Sequence, residues 1–293
     1  RRSSDLLRKN VKKIRSLFPS NRLVEHLETC ALKYCCPAGR NFFLRRYEAP
    51  LPTSTSCNAF CRGCISFQPG TGIPVTQPRI TFTPTPEEVA EVALFHIDGV
   101  RDPVVSFGQG CEGEPLLSGK VLVDAVRLIR SKTSKGMINL NTNASKPELV
   151  SELFGAGLDS MRVSVNSVRE GFYRRYYRPR GYSFRDVVSS IRRAKKAGGF
   201  VSVNYLVMPG FTDSAPEVSA FRRFLSSSRV DMVQWRNLNY DPLAYFQQIG
   251  GRVSPGKMIG IKELINSVKK DFPELMHGYF NPSRARILRK RSV

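Results

Sequence analysis

Between Asp5 and Phe18 the apolar residues Leu6, Leu7, Val11, Ile14, Leu17 and Phe18 recur at helical spacing, with Arg8, Lys12, Lys13 and Arg15 opposite, and predict an amphipathic helix. A second helix is predicted through Asn21 to Leu32, and Pro37 and Gly39 then signal a turn. From about residue 45 the pattern changes. Short β-rich runs, VVSFGQ (104–109), INLNTN (138–143), MRVSVNS (161–167), FVSVNYLVM (200–208) and VDMVQWRNL (230–238), alternate with helical stretches such as TPEEVAEVALFHI, GKVLVDAVRLIRS, KPELVSELFGAG and SFRDVVSSIRRAKKAGG. Thr85, Pro86, Glu87 and Glu88 supply a cap, a proline at the first turn and acidic residues at the positive helix end. Gly155, Gly157, Gly198 and Gly199 stand where helices should stop.

Strands that alternate with helices predict parallel βαβ units. With a further strand expected just before Cys57, the count reaches six by about residue 240. The expected fold is α/β, a partial TIM barrel (β/α)6 with an N-terminal helical segment. The chain divides into a basic helical segment at 1–45, the barrel core at 46–241 and a C-terminal extension at 242–293. Residues immediately after each strand of such a barrel face one common site.

Composition narrows the partners. No uninterrupted apolar run approaches the roughly 20 residues that span a bilayer, so no membrane partner is expected. The basic opening residues lack the apolar stretch of a signal peptide and do not begin with Met, as expected of a piece of a longer chain. Seven Cys, three of them within eight residues, argue for metal chemistry in a reducing compartment, and the cytoplasm is the expected location. The 46 Lys and Arg against 24 Asp and Glu leave a net charge of +22, which admits a phosphate-rich partner such as RNA beside the plainer reading of a generally basic surface.

Residues 57–64 read CNAFCRGC, three cysteines with no fourth nearby. A structural zinc site closes with a fourth Cys or His, yet His26, His96 and His277 are scattered and none adjoins the triad in sequence. An iron-sulfur cluster that only carries electrons takes four thiolates, whereas three leave one iron open to an outside ligand.

This stretch resembles the CxxxCxxC loop of the radical S-adenosylmethionine (radical SAM) superfamily, and the resemblance extends over roughly residues 50 to 240. It implies that Cys57, Cys61 and Cys64 hold a 4Fe-4S cluster whose open iron is chelated by S-adenosylmethionine. Reduction would then cleave that cosubstrate to methionine and a 5′-deoxyadenosyl radical that abstracts hydrogen from a substrate. Further motifs follow in family order. Gly113 and Glu114, within GQGCEGEPLL, resemble the turn that receives the methionine moiety, with Glu112 where a glycine is expected. Asn141, before Thr142 and Asn143, resembles the family's turn after the third strand, with Ala144 replacing its glycine. Ser164 and Asn166 resemble the ribose-contacting strand, and Val207 and Met208 the adenine-contacting segment. Gly63 departs from a position that is often aromatic in the family.

The resemblance implies an electron donor such as flavodoxin or ferredoxin, and leaves the substrate open among a peptide, an RNA and a metabolite. The competing class is a non-catalytic iron-sulfur or zinc protein that binds nucleic acid through its charge, which would have no use for Glu114 or the Ser164 and Asn166 pair. Cys30, Cys35, Cys36 and Cys111 are enough for an auxiliary cluster, but adjacent Cys35 and Cys36 would struggle to face one centre, and core packing is the favoured reading. The stretch FYRRYYRPRGYSFR (172–185) mixes Arg with aromatic rings, as nucleic-acid grips do, although its rings would equally pack a helix onto the barrel.

Overall fold

The computed structural model describes residues 2–70, 72, 74–250 and 258–291; positions 251–257 and 292–293 of the expected C-terminal extension lie outside the described residues. Three helices come first: α1 (Arg2–Leu17), α2 (Arg22–Leu32) and α3 (Pro37–Phe43). The alternating part follows as β1 (Glu48–Pro50), α4 (Pro86–Gly99), β2 (Val104–Phe107), α5 (Gly119–Lys132), β3 (Met137–Thr142), α6 (Pro147–Ala156), β4 (Ser160–Val165), α7 (Glu170–Tyr177), α8 (Phe184–Lys196), β5 (Phe200–Val207), α9 (Ala215–Ser228) and β6 (Met232–Asn237). After it come α10 (Pro242–Ile249), α11 (Ile261–Asp271), β7 (Met276–Gly278) and α12 (Arg284–Arg291).

The strands form one seven-stranded sheet in chain order, every neighbouring pair parallel, curled into a partial barrel with the helices outside. The seventh strand was not anticipated. At three residues, Met276–Gly278 is too short for a periodic signal. The first strand ends at Pro50, so residues 51–56 separate it from the cysteine loop.

Local chemistry explains the boundaries. Asn21 caps α2 by accepting from Val24 N at 2.9 Å, and Thr85 and Glu88 form a reciprocal capping box on α4. Gly157 closes α6 in the left-handed region, φ 110°, while Gly155 lies inside that helix. The expected turn at Pro37 is instead the start of α3, because proline is well suited to a first helical position. In α1, Leu7, Val11 and Ile14 are buried, whereas Leu6 and Leu17 face solvent at the edges of the apolar stripe.

One end of the barrel is plugged. Val104, Met137, Phe200, Met232 and Met276, the first residues of their strands, pack with Ile287 of α12. Beside this plug, half-buried carboxylates tie the strand starts together: Asp159 accepts from Ile138 N at 2.7 Å and Asp231 from Val201 N at 2.8 Å. The cysteine loop and the turns after β2 and β3 lie at the opposite, C-terminal ends of the strands.

A candidate active site at the cysteine loop

Cys57, Cys61 and Cys64 lie together, half-buried, in the loop after β1, and the Cys64 N–H closes a turn onto the Cys61 carbonyl at 3.2 Å. Backbone pairing holds this loop. Phe60 N donates to Tyr177 O at 2.9 Å, Arg62 N to Tyr176 O at 3.1 Å and Arg180 N to Asn58 O at 2.8 Å. The basic aromatic stretch therefore serves as the backing of the cysteine loop. Tyr173, Tyr176 and Tyr177 are buried there, and Arg180 stacks 3.8 Å above the Phe60 ring.

Gly63 has a local reason. A Cβ there would lie 2.9 Å from the Tyr176 hydroxyl, so the aromatic volume missing from the loop is supplied by α7. Asn58 links the loop to the turn after β3, donating to Ser145 Oγ at 3.0 Å and accepting from Asn143 Nδ2 at 2.7 Å.

The turn after β2 approaches from the other side. Gly113 N donates to Ser54 O at 2.7 Å and Glu114 N to Ser56 O at 2.8 Å, and a Cβ on Gly113 would sit 1.8 Å from the Ser56 carbonyl oxygen. Only glycine permits that contact. Glu112, standing where a glycine was expected, is a buried staple: its carboxylate accepts from Thr53 N at 2.8 Å, Ser54 N at 3.1 Å and Gln109 N at 3.2 Å. Burial pushes it up to about 7 against those donors.

Glu114 is buried as well. It accepts from Asn143 N at 2.8 Å, Leu116 N at 3.2 Å and the Thr142 hydroxyl, and burial pushes it up to about 7. Asn141 donates to Phe107 O at 2.8 Å and accepts from Asn139 and Asn281, deep in the barrel. Ser164 is half-buried on β4, and Val207 and Met208 are buried at the end of β5. Asn166 is fully buried; it donates to Tyr245 Oη at 3.2 Å, while its Oδ1 has no partner.

The donor set fits a metal centre. Burial pushes the Cys57 thiol up to about 11, with the Glu114 carboxylate adding to it, and Cys61 is raised by burial and then by Cys57 and Cys64. Cys57 and Cys61, each opposed in ionising by burial and by its neighbouring thiols, would gain from a bound cation. The unpartnered Asn166 oxygen likewise offers an acceptor to a ligand hydroxyl.

Two features escaped the sequence reading. Arg79 reaches back across a long loop to within 3.8 Å of Cys64 Sγ. A cavity of about 720 Å³ is lined by Arg46, Arg162, Arg236 and Arg286, with Glu48 as its acid, and extends to Ile65 beside Cys64. These arginines are far apart in sequence: Arg162 comes from β4, Arg236 from β6, Arg46 from the residues before β1 and Arg286 from α12.

The profile of the Radical SAM superfamily matches residues 51–221. The chain is 26% identical over 255 residues to Molybdenum cofactor biosynthesis protein 1 of Homo sapiens, covering 80% of this chain and spanning only 37% of that protein. Among solved structures, anSMEcpe with bound AdoMet superposes with a TM-score of 0.55 at 16% identity, covering 79% of this chain and 64% of that one. Streptococcus suis SuiB bound to its precursor peptide SuiA gives 0.54 at 13%, covering 89% and 53%. These superpositions show the shared fold.

Proposed function

Because the chain belongs to the radical SAM superfamily of enzymes, whose members use S-adenosylmethionine and an iron-sulfur cluster, we propose that it generates a carbon radical on a small anionic substrate held in the arginine-lined cavity. Family membership sets aside the non-catalytic binder. In this reading Cys57, Cys61 and Cys64 hold a 4Fe-4S cluster. Bound there with S-adenosylmethionine and one electron from a low-potential donor, the cluster supplies methionine and a 5′-deoxyadenosyl radical, which takes a hydrogen atom from the substrate.

The protein's part is orientation. Glu114 would receive the methionine ammonium, Asn166 Oδ1 would accept from the cosubstrate with Ser164 beside it, and Val207 and Met208 would pack the adenine. Gly113 and Asn141 fix the turns that position them.

The cavity carries the substrate reading. Four arginines against one glutamate leave an excess of positive charge inside a concave site, and burial draws Arg162 down to about 10 while its Nε has no partner. A phosphate or carboxylate would satisfy that group and offset the cost of burying its charge. The buried tyrosines of 172–185 argue against base stacking there, so an RNA held by that stretch is the weaker reading.

Protein reconstituted anaerobically with iron and sulfide, then given S-adenosylmethionine and a strong reductant, should release 5′-deoxyadenosine. The Cys57→Ala, Cys61→Ala, Cys64→Ala variant should release none. Absence of the product from cluster-loaded wild type would overturn the reading.

A further inference from the structure

Away from the cysteine loop, four other soft ligands converge. His26 and Cys30 lie one turn apart on α2, Cys36 caps the start of α3, and Cys111 follows β2. The His26 Nε2 lies 3.5 Å from Cys30 Sγ, and the ligand atoms of His26, Cys30 and Cys111 all fall within 4.8 Å of one another. Cys30, Cys36 and Cys111 form a cluster of their own, each at most 5% exposed, and all are free thiols. Cys35, by contrast, turns outward in the left-handed region, φ 53°, which is how two adjacent cysteines avoid competing for one place.

We propose that His26, Cys30 and Cys111, completed by Cys36, form a structural site for one tetrahedral zinc ion. Thiolate and imidazole are zinc's ligands, and at a Zn–S length of about 2.3 Å the ligand atoms of a tetrahedron stand about 3.8 Å apart. The observed crowding suits one ion. Thiolates buried at this point would need a cation beside them, and among the described residues no Lys or Arg pairs with these cysteines.

The site's place gives it a role. Cys111 stands three residues before Glu114, and its carbonyl accepts from Ile80 N at 2.8 Å, where the long loop that carries Arg79 returns. Cys36 and Gly110 both border the arginine-lined cavity. An ion at this point would fasten α2 and α3 to the turn that carries Glu114, fixing one wall of the active site from outside the reaction.

The test uses the full chain with Cys57, Cys61 and Cys64 changed to Ala, so that no cluster at that loop contributes metal. After anaerobic dialysis it should retain one equivalent of zinc by atomic emission. Cobalt(II) titrated into the metal-free protein should saturate at one equivalent, with the intense visible bands of a tetrahedral thiolate site. Cys30→Ser and Cys111→Ser should each weaken cobalt binding at least tenfold, and Cys35→Ser should leave it unchanged. Should the serine variants not fold by circular dichroism, the stoichiometry and band intensity of the parent decide the matter. Weak octahedral bands, no saturable binding, a folded Cys30→Ser with unchanged affinity, or uptake of iron with labile sulfide in place of zinc would each overturn the proposal.

Discussion

Arg79 brings its Nη2 to 3.8 Å from Cys64 Sγ while its Nε donates to Ser66 Oγ at 3.1 Å, so one guanidinium both fixes the loop and places a positive charge beside a ligand sulfur. Reduction adds negative charge to a cluster, and a nearby cation favours the reduced form. Arg79→Gln should therefore load iron normally but show a more negative midpoint potential in a redox titration. An unchanged or more positive potential would remove Arg79 from this role.

Glu114 serves two ends at once. Glu114→Ala leaves Asn143 N, Leu116 N and the Thr142 hydroxyl without their acceptor, which should cost about 1–3 kcal/mol of stability in denaturant titrations. If the carboxylate also receives the cosubstrate's ammonium, calorimetry on cluster-loaded protein should show S-adenosylmethionine bound more weakly by about 1.5–3 kcal/mol. Lower stability with unchanged affinity would reduce Glu114 to a staple between two turns.

The barrel was legible because its strands are buried on both faces and its helices are well capped, so the alternation of runs survives in the sequence. The cysteine loop was legible because its ligands are local, within eight residues. What was hidden depends on contacts distant along the chain. Glu112 reads as a misplaced glycine until Thr53 and Ser54 are seen donating to it. Arg162 and Arg236 share a cavity through strands β4 and β6, and His26 meets Cys111 across 85 positions, separations that no periodicity encodes. The short β7 carries too few residues to announce itself.

His96, fully buried on α4, approaches the Tyr47 carbonyl through Nε2 at 3.4 Å, and burial lowers it to about 4. A histidine held neutral in the folded state contributes stability that is complete above its unfolded value near 6.5 and is lost as pH falls toward 4. Wild type should thus lose up to about 3 kcal/mol over that window from this group, and His96→Leu should flatten this part of the acid limb. An identical slope in the variant, measured by denaturant titration from pH 7 to 4, would contradict the assignment.

The arginine-lined cavity predicts anion binding before any substrate is identified. Pyrophosphate or citrate should raise the melting temperature of the metal-free protein at low salt and lose effect as salt rises. Arg162→Leu combined with Arg236→Leu should abolish the shift, because both line the cavity and Arg162 is its unsatisfied donor. Replacing exposed Arg174 should not. Equal responses from both proteins would mean that anions bind the general surface instead.

Tyr176 separates the two readings of the basic aromatic stretch. Its ring is buried between Tyr177 and Tyr245, with centroids at 4.9 and 5.6 Å, its carbonyl accepts from Arg62 N, and its hydroxyl lies against Gly63. If the stretch exists to back the cysteine loop, Tyr176→Ala opens a cavity under that loop, at a cost of about 3–5 kcal/mol. The variant should then bind less iron and lose it faster to a chelator. Tyr176→Phe keeps the ring and should retain most of the iron, losing only the hydroxyl's contact with the Gly63 backbone. A nucleic-acid platform would behave differently, since stacking depends on an exposed ring and not on cluster retention. Full iron loading in Tyr176→Ala together with lost RNA affinity would therefore reverse the assignment.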